Sequence, residues 1–208
     1  MTGPAPSFAA RTDRGRRRRE AVLDAAAELF LDRGFHGTSV DDVGAAAGIS
    51  GPGLYRHFRS KDELLMAVLD RLWQQLRPAL DEAAALEAKA GVERLLEAQL
   101  DLAFEQPAAL VLLVRELRHL PDDYRSRARR NHRRYLDAWA DALIAVRGDL
   151  DRDTARSIAS ALHGLIDSAA LHRTVITAGL GQARQRELLE RSARAVLVDA
   201  VHPSLGRP

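Results

Sequence analysis

The stretch GISGPGLYRHFRSKDEL, residues 48–64, places a Gly-Pro-Gly triplet at 51–53 just before a Tyr-Arg-His triplet at 55–57. Glycine and proline are the poorest helix formers, and glycine costs roughly 1 kcal/mol per helical position relative to alanine. Ser50 is nevertheless suited to cap a helix that begins here, and Pro52 is tolerated because first-turn amides have no partner within the helix. The stretch therefore predicts a short helix whose first turn carries only small residues.

A second short helix is predicted immediately upstream, in TSVDDVGAAAG at 38–48. Thr38 or Ser39 can cap its start, and two aspartates in its first turn complement the positive end of the helix dipole. Gly48 ends it, because glycine is the residue that most readily adopts a left-handed cap. Two short helices joined by a glycine-containing turn have the spacing of a helix-turn-helix.

The rest of the chain also predicts helices. Apolar residues recur at helical spacing from 16 to 32, and Gly34 follows as the helix end. Ser60 can cap a further helix, and the pattern then predicts helices at 91–105, 107–120, 122–147, 151–178 and 182–201. We therefore expect an all-α protein, with an N-terminal three-helix domain that contains the helix-turn-helix and a larger helical bundle after it.

Composition limits the chemistry and the compartment. The chain has 208 residues and no cysteine, which excludes disulfides, thiolate metal sites and cysteine nucleophiles. It holds no apolar run of about 18 residues that would predict a membrane span. No apolar segment follows the N-terminal arginines, as a secretory signal would require. We therefore expect a cytoplasmic protein.

Positive charge is concentrated at the N-terminus. The formal net charge is +2, yet residues 1–19 hold six arginines and one acidic residue. Residues 1–15 also contain prolines and glycines, and they are predicted to form a flexible basic arm that either contacts phosphates or only solubilises the chain. The helix-turn-helix domain is then expected at 16–62 and the second domain at 63–204.

The residue types around the predicted turn suit a DNA groove. Small residues at a helix start let its free amides come close to a phosphate. Tyr55 and Lys61 suit phosphates, Arg56 can read a guanine edge through two hydrogen bonds, and His57 suits either role. The alternative is that Tyr55 packs against the first helix and that 51–53 is only a turn. The residues predicted to contact DNA are Thr38, Ser50, Gly51, Pro52, Gly53, Tyr55, Arg56, His57 and Lys61.

Residues 16–66, in particular AAAELFLDRGFHGTSVDDVGAAAGISGPGLYRHFRSKDELL, resemble the DNA-binding domain of the TetR/AcrR family of bacterial transcriptional regulators. The resemblance rests on cues in the family's order, namely an aliphatic–Phe pair, Gly34, Thr38, the Ala47–Gly48 turn, Tyr55, Phe58 and Lys61. It implies that residues after about 66 form a divergent domain that dimerises and holds an effector ligand.

Two positions depart from the family's pattern. The family usually has alanine where this chain has Gly44, and a small hydroxyl residue where it has Gly53. Glycine at 44 allows tighter packing of the second helix on the third. Glycine at 53 removes a hydrogen bond to DNA that the resemblance implies, and this leaves base discrimination to Arg56 and to DNA shape.

The helices at 151–178 and 182–201 are predicted to form a dimer interface. The first has one apolar stripe and a second side that is small and weakly polar, formed by Ala161, Gly164, Ser168 and Leu171. A helix that is apolar around most of its girth is buried on more than one side. Two such helices facing their symmetry mates would hold the two recognition helices of a dimer about 34 Å apart. This is the length of one turn of DNA, and it predicts a near-palindromic operator. The alternative is an internal core in a monomer.

A ligand site is predicted where polar groups lie on apolar helices. His132, Tyr135 and Trp139 are in line on 122–147, while His163 and Asp167 are four residues apart on 151–178. Their apolar surroundings favour a lipophilic effector. Each of these residues could instead be part of a solvated face or of a satisfied core.

The sequence predicts a binding function. It contains no nucleophile elbow, phosphate-cradling loop or metal-ligand motif, so we expect no catalysis, no metal and no cofactor. We expect a ligand-responsive DNA-binding regulator, most simply a repressor that a small effector releases from its operator by shifting the helix that starts at Ser60. Activation stays open. The alternative is a small-molecule-binding or interaction protein that keeps the fold without reading DNA.

Overall fold

A computed structural model describes residues 8–172 and 181–201, and the regular structure of these residues is helical. The helices are α1 (Phe8–Arg33), α2 (Val40–Ala46), α3 (Gly51–Tyr55), α4 (Lys61–Ala85), α5 (Ala88–Glu105), α6 (Pro107–Glu116), α7 (Asp122–Val146), α8 (Arg152–His172) and α9 (Gln182–Val201). A single 3₁₀ turn at Leu117–His119 follows α6. The expected all-α class is confirmed.

The chain divides into two compact units between Asp70 and Arg71. The first unit holds α1, α2, α3 and the start of α4, and the second unit holds the remainder of α4 and the helices from α5 on. Helix α4 is continuous and therefore belongs to both units. Among the described residues, no helix is both long enough and apolar enough to cross a membrane.

Glycines end the first two helices, as the sequence predicts. Gly34 follows α1 with φ 77°, and Gly48 follows α2 with φ 65°. Both values lie in the left-handed region, where a side chain would strain the backbone. These two sharp ends turn the chain so that α1 packs on α2 and α2 packs on α3.

A capping box starts α2. The Ser39 hydroxyl accepts a hydrogen bond from the Asp42 amide at 3.1 Å, and the Asp42 carboxylate accepts one from the Ser39 amide at 2.8 Å. The hydrogen bonds from Ser39 lower the pKa of Asp42, because they stabilise its charged form. Two amides at the helix start thereby gain partners that the helix itself cannot supply.

Helix α1 begins earlier than the sequence predicts. The prediction put a flexible arm at 1–15 and the helix start at 16, whereas α1 begins at Phe8. Ala9, Ala10 and Arg11 are good helix formers, and both prolines of the segment lie before Phe8. Gly15 lowers helix propensity without breaking the helix, because helix formers flank it on both sides. Residues 1–7 lie outside the described part.

Two boundaries in the second unit also differ from the prediction. Helix α5 begins at Ala88 rather than 91, so Gly91 lies inside it. A Cβ at Gly91 would lie 2.8 Å from the Ala83 carbonyl oxygen, so glycine is needed there for the close approach of α5 to the end of α4. Helix α6 ends at Glu116, where the 3₁₀ turn replaces the predicted continuation to 120. Of the predicted helix 151–178, residues 173–178 lie outside the described part.

The second unit is built around α5 and α8. Helix α5 packs against α7, α8 and α9, and α6 packs against α8. Helix α8 supplies a stripe of buried apolar residues, namely Ala155, Ala159, Leu162, Ile166 and Ala170. The buried Tyr135 and Trp139 of α7 complete this core. The spacing of three and four residues along α8 is that of a helix face packed against neighbours.

Candidate functional site

Helix α3, the second helix of the helix-turn-helix, is only five residues long. Leu54 is 0% exposed, and Phe58 just beyond the helix is buried as well. The Ile49 amide donates to the Gly44 carbonyl at 2.8 Å, which closes the turn between α2 and α3. Because such a short helix has few hydrogen bonds of its own, this packing holds it in place.

The side chains at the end of α3 and just after it are exposed to solvent. Tyr55 is 47% exposed, and Arg56 and His57 are exposed as well. Helix α3 ends at Tyr55, and Arg56 is its C-cap residue. Arg56 keeps helical angles (φ −70°, ψ −23°), and the His57 amide still donates to the Leu54 carbonyl at 2.9 Å. The three residues therefore continue the path of α3 for one turn.

Ser50 and Gly53 lie together at the start of α3. Ser50 has extended backbone angles at the N-cap and is exposed, but its hydroxyl makes no cap hydrogen bond to the described residues. A Cβ at Gly53 would lie 3.2 Å from the Ser50 hydroxyl oxygen and 3.3 Å from the Ile49 Cγ2. Glycine at 53 thus fits a tight turn within the unit, and this reason is independent of any partner.

Thr38 does not belong to the exposed surface. Its side chain is 2% exposed, and its hydroxyl lies 3.0 Å from the Gly34 carbonyl and 3.1 Å from the Leu29 carbonyl. The hydroxyl therefore serves the end of α1, where carbonyls lack helical partners. The structure thus gives the Thr38 side chain, one of the residues predicted to contact DNA, two partners within its own unit.

Lys61 is half-buried at the start of α4. Its ammonium donates to the His36 carbonyl at 3.3 Å and lies 4.7 Å from the centroid of the Phe35 ring. A cation over an aromatic face is attracted by the ring's negative face. These two contacts restrict the position of the Lys61 ammonium.

The second unit contains a cavity of about 930 Å³. Its apolar wall is formed by Trp73 of α4, Leu113 and Val114 of α6, Leu117, and Ala128 and Leu136 of α7. Its polar wall is formed by Arg118, Arg125, Arg129, His132, Arg133 and Arg156. The volume lies within the range of about 300–1,000 Å³ that is typical of small-molecule sites.

Of the five predicted ligand residues, only His132 lines this cavity. Its ring centroid lies 6.5 Å from that of Trp73 and 6.3 Å from that of His163. His163 stacks on Tyr135 at 4.8 Å and meets the edge of Trp139 at 5.8 Å. The structure thus brings the aromatic residues together, but it places Tyr135, Trp139 and His163 in the core behind the cavity wall. Asp167 also does not line the cavity.

A chain of two hydrogen bonds, one buried and one part-buried, links Tyr135, Gln99 and Asp167. The Tyr135 hydroxyl donates to the Gln99 side-chain carbonyl at 2.9 Å, and the Gln99 amide donates to the Asp167 carboxylate at 2.5 Å. The sequence prediction missed Gln99, which is 3% exposed. Its only signal is an amide that interrupts the leucine-rich buried face of α5.

Burial shifts the protonation of these groups. Burial lowers the pKa of His163 to about 3, and the nearby His132 adds to this effect. Burial raises the pKa of Asp167 to about 6, against the opposing hydrogen bond from Gln99. Burial also raises the pKa of Tyr135 and lowers that of His132. His163 is therefore neutral at physiological pH, and its buried Nε2 has no hydrogen-bond partner among the described residues.

Comparison with known proteins identifies relatives. The model of the bacterial regulatory proteins of the tetR family matches residues 22–68. The chain is 36% identical over 107 residues to the HTH-type transcriptional repressor KstR2 of Rhodococcus jostii. This match covers 50% of this chain and 52% of that protein. It is 43% identical over 79 residues to the HTH-type transcriptional activator FasR of Mycolicibacterium smegmatis, covering 34% and 36% of the two chains.

A longer match extends into the second unit. The chain is 31% identical over 148 residues to the repressor KstR2 of Mycolicibacterium smegmatis, covering 65% of this chain and 71% of that protein. The crystal structure of the TetR family transcriptional regulator PfmR from Thermus thermophilus superposes with a TM-score of 0.70 at 24% identity, covering 89% and 99% of the two chains. The matches span about half the length of the first relative and about a third of the second. Both the helix-turn-helix and most of the repressor's length are shared, and the chain therefore belongs to the TetR family of bacterial regulatory proteins.

Proposed function

We propose that the protein is a ligand-responsive transcriptional regulator, most simply a repressor, that binds a near-palindromic operator as a homodimer. The observation that carries this proposal is the exposure of Tyr55, Arg56 and His57 at the end of a helix that is anchored by buried Leu54 and Phe58. A half-exposed tyrosine beside basic side chains provides the contacts that duplex DNA accepts from proteins. The relatives' names, two repressors and one activator, support regulation of transcription.

The proposed DNA surface follows the sequence prediction without the Thr38 side chain. It consists of Ser50, Gly51, Pro52, Gly53, Tyr55, Arg56, His57 and Lys61. Within it, Arg56 is assigned to a base edge and Tyr55 to a phosphate. The Lys61 ammonium lies over the Phe35 ring and is assigned to a phosphate. A phosphate contact fixes the orientation of the protein on the duplex and carries no base preference.

The proposed dimer interface uses the outer faces of α8 and α9. On α8, Ala161 and Gly164 are exposed, and Ser168 and Leu171 follow on the same face as half-buried residues. On α9, Leu188 is 37% exposed and Val196 is 38% exposed. Small residues at three- and four-residue spacing let two helices approach closely, and paired helices from two chains bury both faces.

The proposed effector site is the cavity of the second unit. Trp73 of α4 lies in its wall, and the same helix begins at Lys61 beside the proposed DNA surface. A ligand that binds one position of α4 more tightly than another shifts the population of DNA-binding states by that difference in affinity. The apolar wall supports a lipophilic effector, with His132 as the predicted ligand residue that reaches it.

The test begins with operator selection. The purified chain is incubated with a random duplex library at moderate salt, and the bound sequences are recovered and measured by fluorescence anisotropy. We expect a near-palindromic sequence bound far more tightly than random DNA. A chain that binds all duplexes equally would be a binding or interaction protein on the same fold.

The second step measures the response to a ligand. Compounds that bind the purified chain in calorimetry are added to the complex of protein and selected operator. We expect at least one of them to weaken operator binding by about tenfold or more, the usual range of allosteric coupling. Ligands that occupy the cavity and leave operator affinity unchanged would contradict the proposed switch.

A further inference from the structure

The polar wall of the cavity is a row of guanidinium groups. Arg125, Arg129 and Arg133 follow one another at four-residue spacing on α7, so they lie on one face of that helix. Arg118 and Arg156 enter from the 3₁₀ turn and from α8. Five arginines therefore line one cavity, and no acidic side chain of the described residues lines it with them.

Only two of the five have a carboxylate partner. Arg125 pairs with Asp122, and Arg156 pairs with Asp137 at 2.5 Å. Arg118 donates to the His119 ring at 2.9 Å, and it has no carboxylate partner in the described part of the chain. Arg129 and Arg133 form no hydrogen bond or ion pair with any described residue. The wall thus carries about three positive charges that the surrounding fold leaves unneutralised.

Arg118, Arg129 and Arg133 are exposed, and this face differs from most exposed helix faces in its charge pattern. The one acid placed four residues after an arginine of the row, Asp137 after Arg133, pairs with Arg156 instead. Exposed arginines on a helix are stabilised by acids four residues away, and like charges at that spacing destabilise the helix by a few tenths of a kcal/mol per pair. Here Arg129 has an arginine four residues before it and another four residues after it. The same cavity is also lined by Trp73, Leu113 and Leu117, whose side chains favour hydrocarbon.

We infer that the cavity binds an anionic amphiphile, an acyl chain joined to a phosphate-bearing head, with the phosphate on Arg118, Arg129 and Arg133 and the acyl chain on the apolar wall. This inference rests on the proposed effector site and names the class of ligand it takes. A lone carboxylate brings one negative charge, whereas a phosphate monoester brings about two charges and three acceptor oxygens. Guanidinium forks match those oxygens with paired hydrogen bonds. A neutral lipophilic compound would leave the arginine row unused.

Two chemical sources share this description, a coenzyme A thioester and a lysophospholipid. The experiment is isothermal calorimetry of the purified full-length chain, without DNA, against octanoyl-coenzyme A, octanoyl lysophosphatidate, octanoate and coenzyme A. We expect at least one of the two acylated phosphate compounds to bind about tenfold or more tightly than octanoate, and the tighter one identifies the source. Coenzyme A alone should bind more weakly than its thioester because it lacks the acyl chain. Octanoate binding as tightly as both phosphate compounds would overturn the inference.

Variants locate the head group. Arg129→Ala combined with Arg133→Ala should weaken binding of the phosphate compound about tenfold or more and reduce its dependence on salt. Arg130→Ala combined with Arg134→Ala is the matched control, since both side chains are exposed on the same helix and neither lines the cavity. Arg129→Lys combined with Arg133→Lys should retain more affinity than the alanine pair, because lysine keeps the charge and loses only the paired hydrogen bonds of the guanidinium. Equal losses in the two alanine pairs would assign the effect to net charge and reject the site.

The outcome is separable from that of the proposed function. Binding is measured in the absence of DNA, and operator release is measured afterwards with the same compound. A phosphate amphiphile that binds and leaves operator affinity unchanged supports this inference and contradicts the switch. A neutral compound that occupies the cavity and releases the operator, while both phosphate compounds fail to bind, supports the switch and contradicts this inference.

Discussion

Arg56 is an exposed residue that the fold does not use. Within the described residues its side chain forms no hydrogen bond or ion pair, and its backbone alone continues the turn after α3. Thr38, which the sequence placed in the same DNA-binding set, is buried and bonded to two carbonyls. Burial therefore separates a residue available to a partner from one that holds the domain together.

Replacing Arg56 should change DNA reading and leave stability unchanged. For Arg56→Ala we expect a loss of roughly 1–3 kcal/mol in operator affinity and a relaxed preference at one base pair, because a guanine-edge contact is removed. Anisotropy titrations on the operator and on its single-base variants measure both effects. Arg77→Ala, an exposed arginine of α4 in the second unit, serves as the control. Unchanged base preference in Arg56→Ala would show that this arginine contacts phosphate only.

The half-buried Asp167 makes stability depend on pH. Its pKa in the folded chain is raised to about 6, so the folded state holds the proton more tightly than the unfolded state does. This contribution is present below the unfolded value of 3.8 and is lost as the pH rises through about 6. His163 acts in the opposite direction, because its lowered pKa makes the folded state lose stability as the pH falls from 6.5 towards 3.

Asp167→Asn should remove the first of these effects. Its amide oxygen can still accept the hydrogen bond from Gln99, while no buried charge forms at neutral pH. We expect the variant to be more stable than the parent by on the order of 1–2 kcal/mol near pH 7, and equal to it near pH 4. Urea unfolding at both pH values measures this difference, with the exposed Asp81→Asn as control. A variant less stable at neutral pH would show that the charge itself is needed.

At the scale of the element, helix ends were the most predictable features. Gly34 and Gly48 carry positive φ, and Pro107 and Pro121 stand at the starts of α6 and α7. Each acts on the backbone next to it, so local sequence is enough to place them. The start of α1 and the inclusion of Gly91 in α5 were not predicted. Gly91 depends on the approach of a second helix, which no local pattern encodes.

The capping box of α2 offers a test at this scale. Ser39→Ala removes the hydroxyl that accepts from the Asp42 amide and leaves one first-turn amide without its partner. We expect the free energy of unfolding to fall by about 1 kcal/mol, since the cost of losing such a cap is of that size. Thermal or urea unfolding checks the value. Ser126→Ala on the exposed side of α7 should have almost no effect, and an equal effect in both variants would refute the role of the cap.

At the scale of the whole molecule, the exposed face of α8 decides the oligomeric state. Gly164 is exposed, and a Cβ there would meet no described atom within 4 Å apart from its chain neighbours and the adjacent backbone of its own helix. A large residue at 164 therefore fits the isolated chain, but it would hold two closely packed helices apart. The position thus distinguishes the dimer proposal from an internal core in a monomer.

For Gly164→Arg we expect a protein that keeps its helical circular dichroism and sediments as a single chain, while the parent sediments as a dimer. Operator affinity should fall with the loss of the second recognition helix. Ala145→Arg, which adds the same charge on the exposed side of α7, should stay dimeric. A parent that is monomeric at micromolar concentration would remove the basis of the near-palindromic operator.

More of the helix-turn-helix surface than of the cavity could be predicted from the sequence. The helix-turn-helix occupies one continuous segment, so its exposed residues could be named from local patterns, apart from Thr38. The cavity draws its walls from α4, α6, the 3₁₀ turn, α7 and α8, and its arginines have the periodicity of a solvated face. Only the packing of these helices shows that the face lines a cavity. Trp139 and His163 were recognised as polar groups on apolar helices, but their depth was not predictable.

The arginine row has an expected consequence for measurements of ligand binding. Three guanidiniums without carboxylate partners among the described residues repel one another, so we expect small multivalent anions to bind there and to compete with the ligand. Phosphate or sulfate in a buffer is therefore a competitor, and affinities measured in such buffers will be weaker than those measured in chloride at equal ionic strength. The anion of the buffer is therefore expected to change the affinity measured at Arg129 and Arg133.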